Sequence, residues 1–195
     1  MPSFDLRNIK IAEYQRNGKA VSYGNTESIG DAMNCNLELR FAEGRLYAES
    51  TLAEFIKKAT GGSISIGVKY IPESAQQLLF GATSTTRSAG SKTISGLRFG
   101  AKDKSKYVGV AFYAPDMIDS VEKYTCVFVA KAMFGPPSMT YQTKGDSISF
   151  NTPTTSGEFL ADDTDNQVLL ETAVCDTVDE AVAWCEAVFK AGVAV

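Results

Sequence analysis

Tyr107 to Pro153, YVGVAFYAPDMIDSVEKYTCVFVAKAMFGPPSMTYQTKGDSISFNTP, decides how the rest of the chain must fold. Two β-rich runs flank a charged turn, a Pro-Pro break follows, and a third short strand closes the stretch. In the first run Val108, Val110 and Phe112 alternate with Tyr107, Gly109, Ala111 and Tyr113. In the second, Tyr124, Cys126, Phe128 and Ala130 alternate with Thr125, Val127, Val129 and Lys131. A strand pair with one solvated face carries a polar residue at every second position. This hairpin does not, so both its faces are expected to be covered. One face must meet the chain's own core, which leaves the other free to meet another chain.

Upstream, residues 6–14 read as a strand, Gly18 as a turn and Val21 to Tyr23 as the strand's return. Between Ala32 and Arg40, Met33, Cys35, Leu37 and Leu39 alternate with Asn34, Asn36, Glu38 and Arg40, and Glu43-Gly44 is expected to turn the chain back through Leu46 to Glu49. Thr51 to Glu54 has the form of a helix capping box, with Leu52, Phe55, Ile56 and Ala59 on one face and Gly61 as the cap that ends a short helix. A strand then runs from Ile64 to Tyr70, and Glu73 to Phe80 predicts a helix closed by Gly81. Residues 82–93, ATSTTRSAGSKT, hold almost no large apolar side chain and are expected to form a mobile polar loop, before Ile94 to Phe99 resumes a strand.

Downstream, Glu158 to Leu160 and Gln167 to Cys175 predict strands on either side of the acidic run Asp162 to Asp165, which reads as a solvated turn. Thr177 to Glu180 is a second capping box. Val178, Ala181, Val182, Cys185, Val188 and Phe189 form an apolar stripe at helical spacing, so a helix over 177–191 must pack on a sheet, with Trp184 at the rim of that contact or against a partner. About ten strands and two or three short helices, without an internal repeat or a dividing linker, imply one domain over 1–195. Its expected architecture is mainly β, an antiparallel β-sandwich or partly closed barrel with helices on its flank.

Composition narrows the chemistry. The chain has 195 residues, 44% of them hydrophobic, and no apolar run of the roughly 18 residues that span a membrane. Met1 to Asp5 lacks the basic and apolar segments of a secretory signal, so the protein is expected to stay in a cytoplasm. Cys35, Cys126, Cys175 and Cys185 are widely spaced within apolar patterns and are expected to be reduced, packed thiols. There is no histidine, which removes the commonest general base, the usual partner of a Ser or Cys nucleophile and the commonest zinc ligand. Asp162 to Asp165 lacks the Gly and the distant Glu of a calcium loop. No catalytic, cofactor-binding or metal-binding residue is therefore expected. With 19 basic and 23 acidic residues the formal charge is -4, without the basic excess of a protein that grips nucleic acid.

Three blocks carry a resemblance. Ala130 to Phe134 leads into Gly135-Pro136-Pro137 and then Thr143 to Pro153, TKGDSISFNTP; Leu6 to Tyr14 opens the chain; and Arg45 to Glu49 precedes Gly61 to Val68. In this order the chain resembles the major tail (tail tube) protein of long-tailed bacteriophages. The resemblance implies hexameric rings in which hairpins of neighbouring subunits join into one continuous barrel around a lumen, and rings that stack into a tube through loops and terminal arms. The lumen would conduct the phage genome, and DNA would pass without specific binding along a wall whose charge does not hold phosphates. Implied partners are further copies of the chain and the tape-measure, tail-tip and terminator proteins, with assembly in the host cytoplasm and a final place in the virion tail. Under this resemblance the hairpins Asp31 to Glu49 and Tyr107 to Lys131 would line the inner barrel, with Glu38, Arg40, Arg45, Tyr107, Tyr113, Val127 and Lys131 as assembly residues. The flexible arm 1–5 and the loop 82–93, with Phe4, Arg87 and Lys92, would serve ring stacking. A type VI secretion tube protein shares the fold and the ring logic.

Other classes remain. A monomeric carbohydrate-binding β-sandwich needs aromatic rings gathered on one open face, for which Tyr107, Tyr113, Tyr124 and Tyr141 are the candidates. A histidine-free hydrolase would need a carboxylate pair in a defensible motif, and the sequence holds none.

Overall fold

The computed structural model describes residues 5–49, 51–143 and 150–190. Phe4 and most of TKGDSISF fall outside that range. Eleven strands and two helices run in the order β1 (Arg7–Asn17), β2 (Ala20–Tyr23), β3 (Glu27–Ser28), β4 (Ala32–Ala48), β5 (Thr51–Val68), α1 (Glu73–Phe80), β6 (Thr83–Ala89), β7 (Lys92–Arg98), β8 (Tyr107–Ile118), β9 (Val121–Phe134), β10 (Thr154–Leu160), β11 (Leu170–Cys175) and α2 (Val178–Lys190). Nine strands form one antiparallel sheet in the order β2-β1-β8-β9-β10-β5-β4, with β3 beside β1 and β11 beside β9; β6 and β7 make a separate two-stranded sheet. The architecture is mainly antiparallel β and sandwich-like, as expected.

The hairpin β8–β9 lies in the middle of the large sheet, and both its faces are buried. On one face Val108, Val110, Phe112, Val129 and Phe134 meet Ile9 and Ile11 of β1, Ile64, Ile66 and Val68 of β5, and Leu79 and Phe80 of α1. Because β1 and β5 stand three strands apart yet share this cluster, the sheet must curl over on itself. The curl stops short of closure: among the described residues β2 and β4 remain open ends. On the other face Ala111, Cys126, Phe128 and Ala130 meet Ala181, Cys185 and Phe189 of α2. The chain's own helix, with Trp184 packed at its rim, thus covers the face that the sequence left free for another chain.

A bulge lets β9 serve both clusters. Val108 pairs with Ala132 and Val110 with Val129, so β9 gains a residue on β8 at Ala130-Lys131. The outer edge of β9 is divided at the same place: Tyr124 to Val129 pair with β11, and Lys131 to Phe134 pair with β10.

Both helices follow their signals. α1 ends on Gly81, whose left-handed φ of 69° lets its N–H reach the Gln77 carbonyl at 3.0 Å. At α2, the Thr177 hydroxyl accepts from the Glu180 N–H at 3.2 Å, and the Glu180 carboxylate accepts from the Asp176 N–H at 3.0 Å.

Two expected elements differ. The helix over residues 51–61 is strand β5, which pairs with β4 from Thr51 to Val68. Gly61 is no helix cap: at φ 147° it lies where a Cβ would come within 2.5 Å of the Phe159 carbonyl, so the glycine lets β10 approach. Nor does Glu43-Gly44 turn, because β4 runs through it to Ala48. The polar segment 82–93 belongs to the hairpin β6–β7, with Gly90-Ser91 as its two-residue turn. Thr83, Thr85, Thr86 and Thr93 supply β-branched strand formers, and Gly90 takes the left-handed φ of 63° that the turn requires.

The face under α2 is held by three rings. Tyr23, Phe128 and Phe189 meet edge to face with centroids 5.4 to 5.5 Å apart, and the Tyr23 hydroxyl donates to the Ala130 carbonyl at 2.9 Å. Gly109 lies directly beneath, where a Cβ would come 2.7 Å from Tyr23 and 3.1 Å from Phe189. Gly109→Ala is expected to lower stability by about 1–3 kcal/mol, because the hydrogen-bonded Tyr23 ring cannot give way. Urea unfolding checks this; an unchanged midpoint would show that the rings are not fixed.

Candidate functional site

The feature the fold does not absorb is the far half of the hairpin β4–β5. Its near half is part of the sheet: Cys35 and Leu37 pack on the core, and β5 pairs with β10 from Gly62 to Gly67. Beyond Arg40 and Gly61 neither strand has another neighbour among the described residues, and Phe41–Ala48 with Thr51–Ala59 projects as a two-stranded arm about 25 Å long.

Both faces of the arm are in water. On one, Phe41, Glu43 and Arg45 pair with Ala59, Lys57 and Phe55. Lys57 contacts Glu43 at 3.1 Å and lies 4.5 Å above the Phe41 ring, while Arg45 lies 5.5 Å from the Phe55 ring. On the other, Leu46 and Ile56 flank Gly44 and are 58% and 66% exposed. With Tyr47 at 61% as well, the arm presents more large apolar surface than a hairpin of its own can bury. β4 is also the outermost strand of the large sheet, so among the described residues the backbone groups of its free edge lack a partner strand.

The expected assembly residues fall into three groups. Glu38, Arg40 and Arg45 stand exposed on β4, and Arg40 reaches Glu158 of β10 at 2.8 Å. Val127 instead lies within β9, between Phe112 of β8 and Thr172 of β11, and Tyr113 is buried against Tyr124. Of the expected stacking residues, Arg87 and Lys92 are exposed on β6–β7 and Phe4 lies outside the described residues. Tyr113 is also missing from any open aromatic platform, because its ring is only 4% exposed.

Tyr107 and Lys131 join a charged latch that periodicity could not show. The Lys131 ammonium donates to Asp163 Oδ2 at 2.6 Å and lies 4.8 Å from the Tyr107 ring and 5.1 Å from the Tyr14 ring. The Tyr14 hydroxyl donates to Asp163 Oδ2 at 2.8 Å and accepts from the Asp163 N–H at 2.9 Å, while Arg16 approaches Oδ1 at 3.1 Å. The latch ties the β10–β11 connection to β1 and to the β9 bulge. Asp162 beside it is buried: its Oδ1 accepts from the Thr164 N–H, the Thr164 hydroxyl and the Val168 N–H. The acidic run is thus a structured turn instead of a solvated one, because its first two carboxylates are used by the loop and the latch. The partners stand 149 residues apart in sequence, and no local signal announces them.

The four cysteines are free. Burial pushes the Cys35 and Cys185 thiols up to about 11 and raises Cys126, whose sulfur lies 3.7 Å from that of Cys175. Cys35, Cys126 and Cys185 are protonated packing groups at neutral pH, not nucleophiles. Among the described residues no three acidic or thiol side chains converge to hold a metal ion, and no helix is long and apolar enough to cross a membrane.

Its hydrogen bonds from Lys131 and Tyr14 hold the Asp163 carboxyl below the ordinary value of 3.8. A lowered folded-state pKa gives stability that is complete above the ordinary value and is lost as pH falls through the folded one. Lys131→Met is expected to cost about 1–3 kcal/mol at neutral pH. In urea titrations the gap from wild type should hold above about pH 5 and narrow below the ordinary carboxylate range. A gap that widens in acid would remove the latch as its cause. No protein-family model and no curated protein matches the chain.

Proposed function

We propose that the protein is a structural subunit that self-assembles into stacked rings, forming a tube of the phage-tail type through which a genome passes. The observation that carries this reading is the β4–β5 arm: a projecting hairpin with exposed Leu46, Tyr47, Phe55 and Ile56 beside a free sheet edge. An edge strand of 17 residues invites pairing with another chain, and closure into a ring gives each edge a partner. The order of the three sequence blocks supplies the tail-tube part of the reading. Since the chain's own core and α2 cover β8 and β9, intersubunit pairing is assigned to the arm and to Glu38, Arg40 and Arg45 on β4, in place of Tyr113 and Val127.

Negative-stain electron microscopy of the purified chain, dilute and then concentrated, is expected to show rings or hollow tubes of uniform diameter. Leu46→Lys combined with Ile56→Lys should abolish them while leaving the unfolding free energy within about 0.5 kcal/mol of wild type, since both residues are exposed. Particles without a lumen at every concentration, even after tail-tip components are added, would sink the tube reading. Unimpaired tubes from the double variant would clear the arm of any role.

A further inference from the structure

Charge is segregated along this chain in a way its total conceals. Between Gly81 and Lys106 there are six Lys or Arg residues and a single acid, Asp103; between Phe150 and Phe189 there are nine acids and neither Lys nor Arg. The fold places three of the six bases on one face of β6–β7 and three of the nine acids on α2. In the hairpin β6–β7, Thr83 pairs with Arg98, Arg87 with Ile94 and Ala89 with Lys92, so Arg87, Lys92 and Arg98 share one face around Ile94, which is 56% exposed. The opposite face carries Ser84, Thr86, Ser88, Thr93 and Ser95 with Leu97, and no charge. On α2, Asp179, Glu180 and Glu186 surround the exposed small residues Ala183 and Ala187, and the only base of the helix is its last residue, Lys190. Among the described residues none of Arg87, Lys92, Arg98, Asp179 and Glu186 has an ion-pair partner, although the neighbouring acids Asp163, Asp165 and Asp176 all do.

We infer that the cationic face of β6–β7 docks on the acidic outer face of α2 in a second copy of the chain. The spacings match: Asp179 and Glu186, two helical turns apart, are separated by about 10 Å. Arg87 and Arg98 are about 13 Å apart on the hairpin. Ile94 then meets Ala183, and the bases meet the acids around it. The two surfaces of one chain do not satisfy each other: among the described residues no ion pair joins β6–β7 to α2. A contact between two unlike surfaces repeats from copy to copy and grows an assembly. The docking also provides what an isolated two-stranded hairpin lacks, a surface to pack on. It rests on the self-assembly reading only in taking a second copy as the partner; ring or lumen is not required.

Charge exchange tests it. Arg87→Glu with Lys92→Glu, and separately Asp179→Lys with Glu186→Lys, should each weaken self-association in sedimentation velocity by roughly tenfold or more, as several exposed ion pairs turn repulsive. Arg87, Lys92 and Asp179 are exposed and Glu186 is only partly buried, so thermal unfolding should hardly move. The four changes together in one chain, or an equimolar mixture of the two double variants, should restore association. Raising salt from about 0.05 M to about 0.5 M should weaken the wild type. Association of Arg87→Glu with Lys92→Glu at wild-type strength would overturn the docking, as would failure of the fourfold variant to recover. So would a hairpin whose reversal abolishes binding of a short fluorescent DNA duplex and leaves self-association intact. Assemblies that obey the charge exchange but have no lumen would keep the docking and sink the tube.

Discussion

Neither face of β8 and β9 can be left to water. Val108, Val110, Phe112 and Val129 on one side, and Ala111, Cys126, Phe128 and Ala130 on the other, set two demands for cover from one pair of strands. The chain meets the first by curling its sheet until β1 and β5 close over the same cluster, with α1 filling the gap. It meets the second with α2. The bulge at Ala130-Lys131 lets one strand serve both, because the extra residue returns Ala132 and Phe134 to the side of Val129. Where β9 changes its outer partner from β11 to β10, the connection between those strands needs an anchor. Lys131, Asp163 and Tyr14 supply it with an ion pair shielded by two aromatic rings.

Once both faces of the centre are covered from within, the surface left for partners is peripheral. The β4–β5 arm is apolar on faces that cannot fold back, and the β6–β7 hairpin carries uncompensated positive charge. The two differ in physical kind. Apolar side chains beside an open backbone edge favour strand pairing and exclusion of water, whereas the charged hairpin is sensitive to salt and selects an oppositely charged surface. Two contacts of such different character can be weakened independently in one molecule.

Much of the fold was legible from local patterns. The two-sided apolar hairpin, the α1 and α2 signals and the β1–β2 turn at Gly18 all rest on interactions between near neighbours in sequence. The segment 51–61 was not, because Leu52, Phe55, Ile56 and Ala59 satisfy a helical period, and only its nine pairings with β4 override it. Arg87 and Lys92 were legible as exposed bases. That they share a face with Arg98 depends on a register that a presumed loop does not have. The latch was invisible, since Tyr14 and Asp163 meet only after the whole sheet has closed.

Sheet order also orders events in time. Ile11 of β1 pairs with Val110 of β8, and Ile66 of β5 pairs with Thr155 of β10, so the body of the sheet cannot form until most of the chain has left the ribosome. The hairpins β4–β5 and β6–β7 join strands adjacent in sequence and close within microseconds of emerging. The pairing of the two peripheral hairpins needs no residue beyond Arg98, whereas the body of the sheet needs Thr155 and Leu170. On a nascent chain the apolar arm is therefore complete in sequence while the core that will carry it is not.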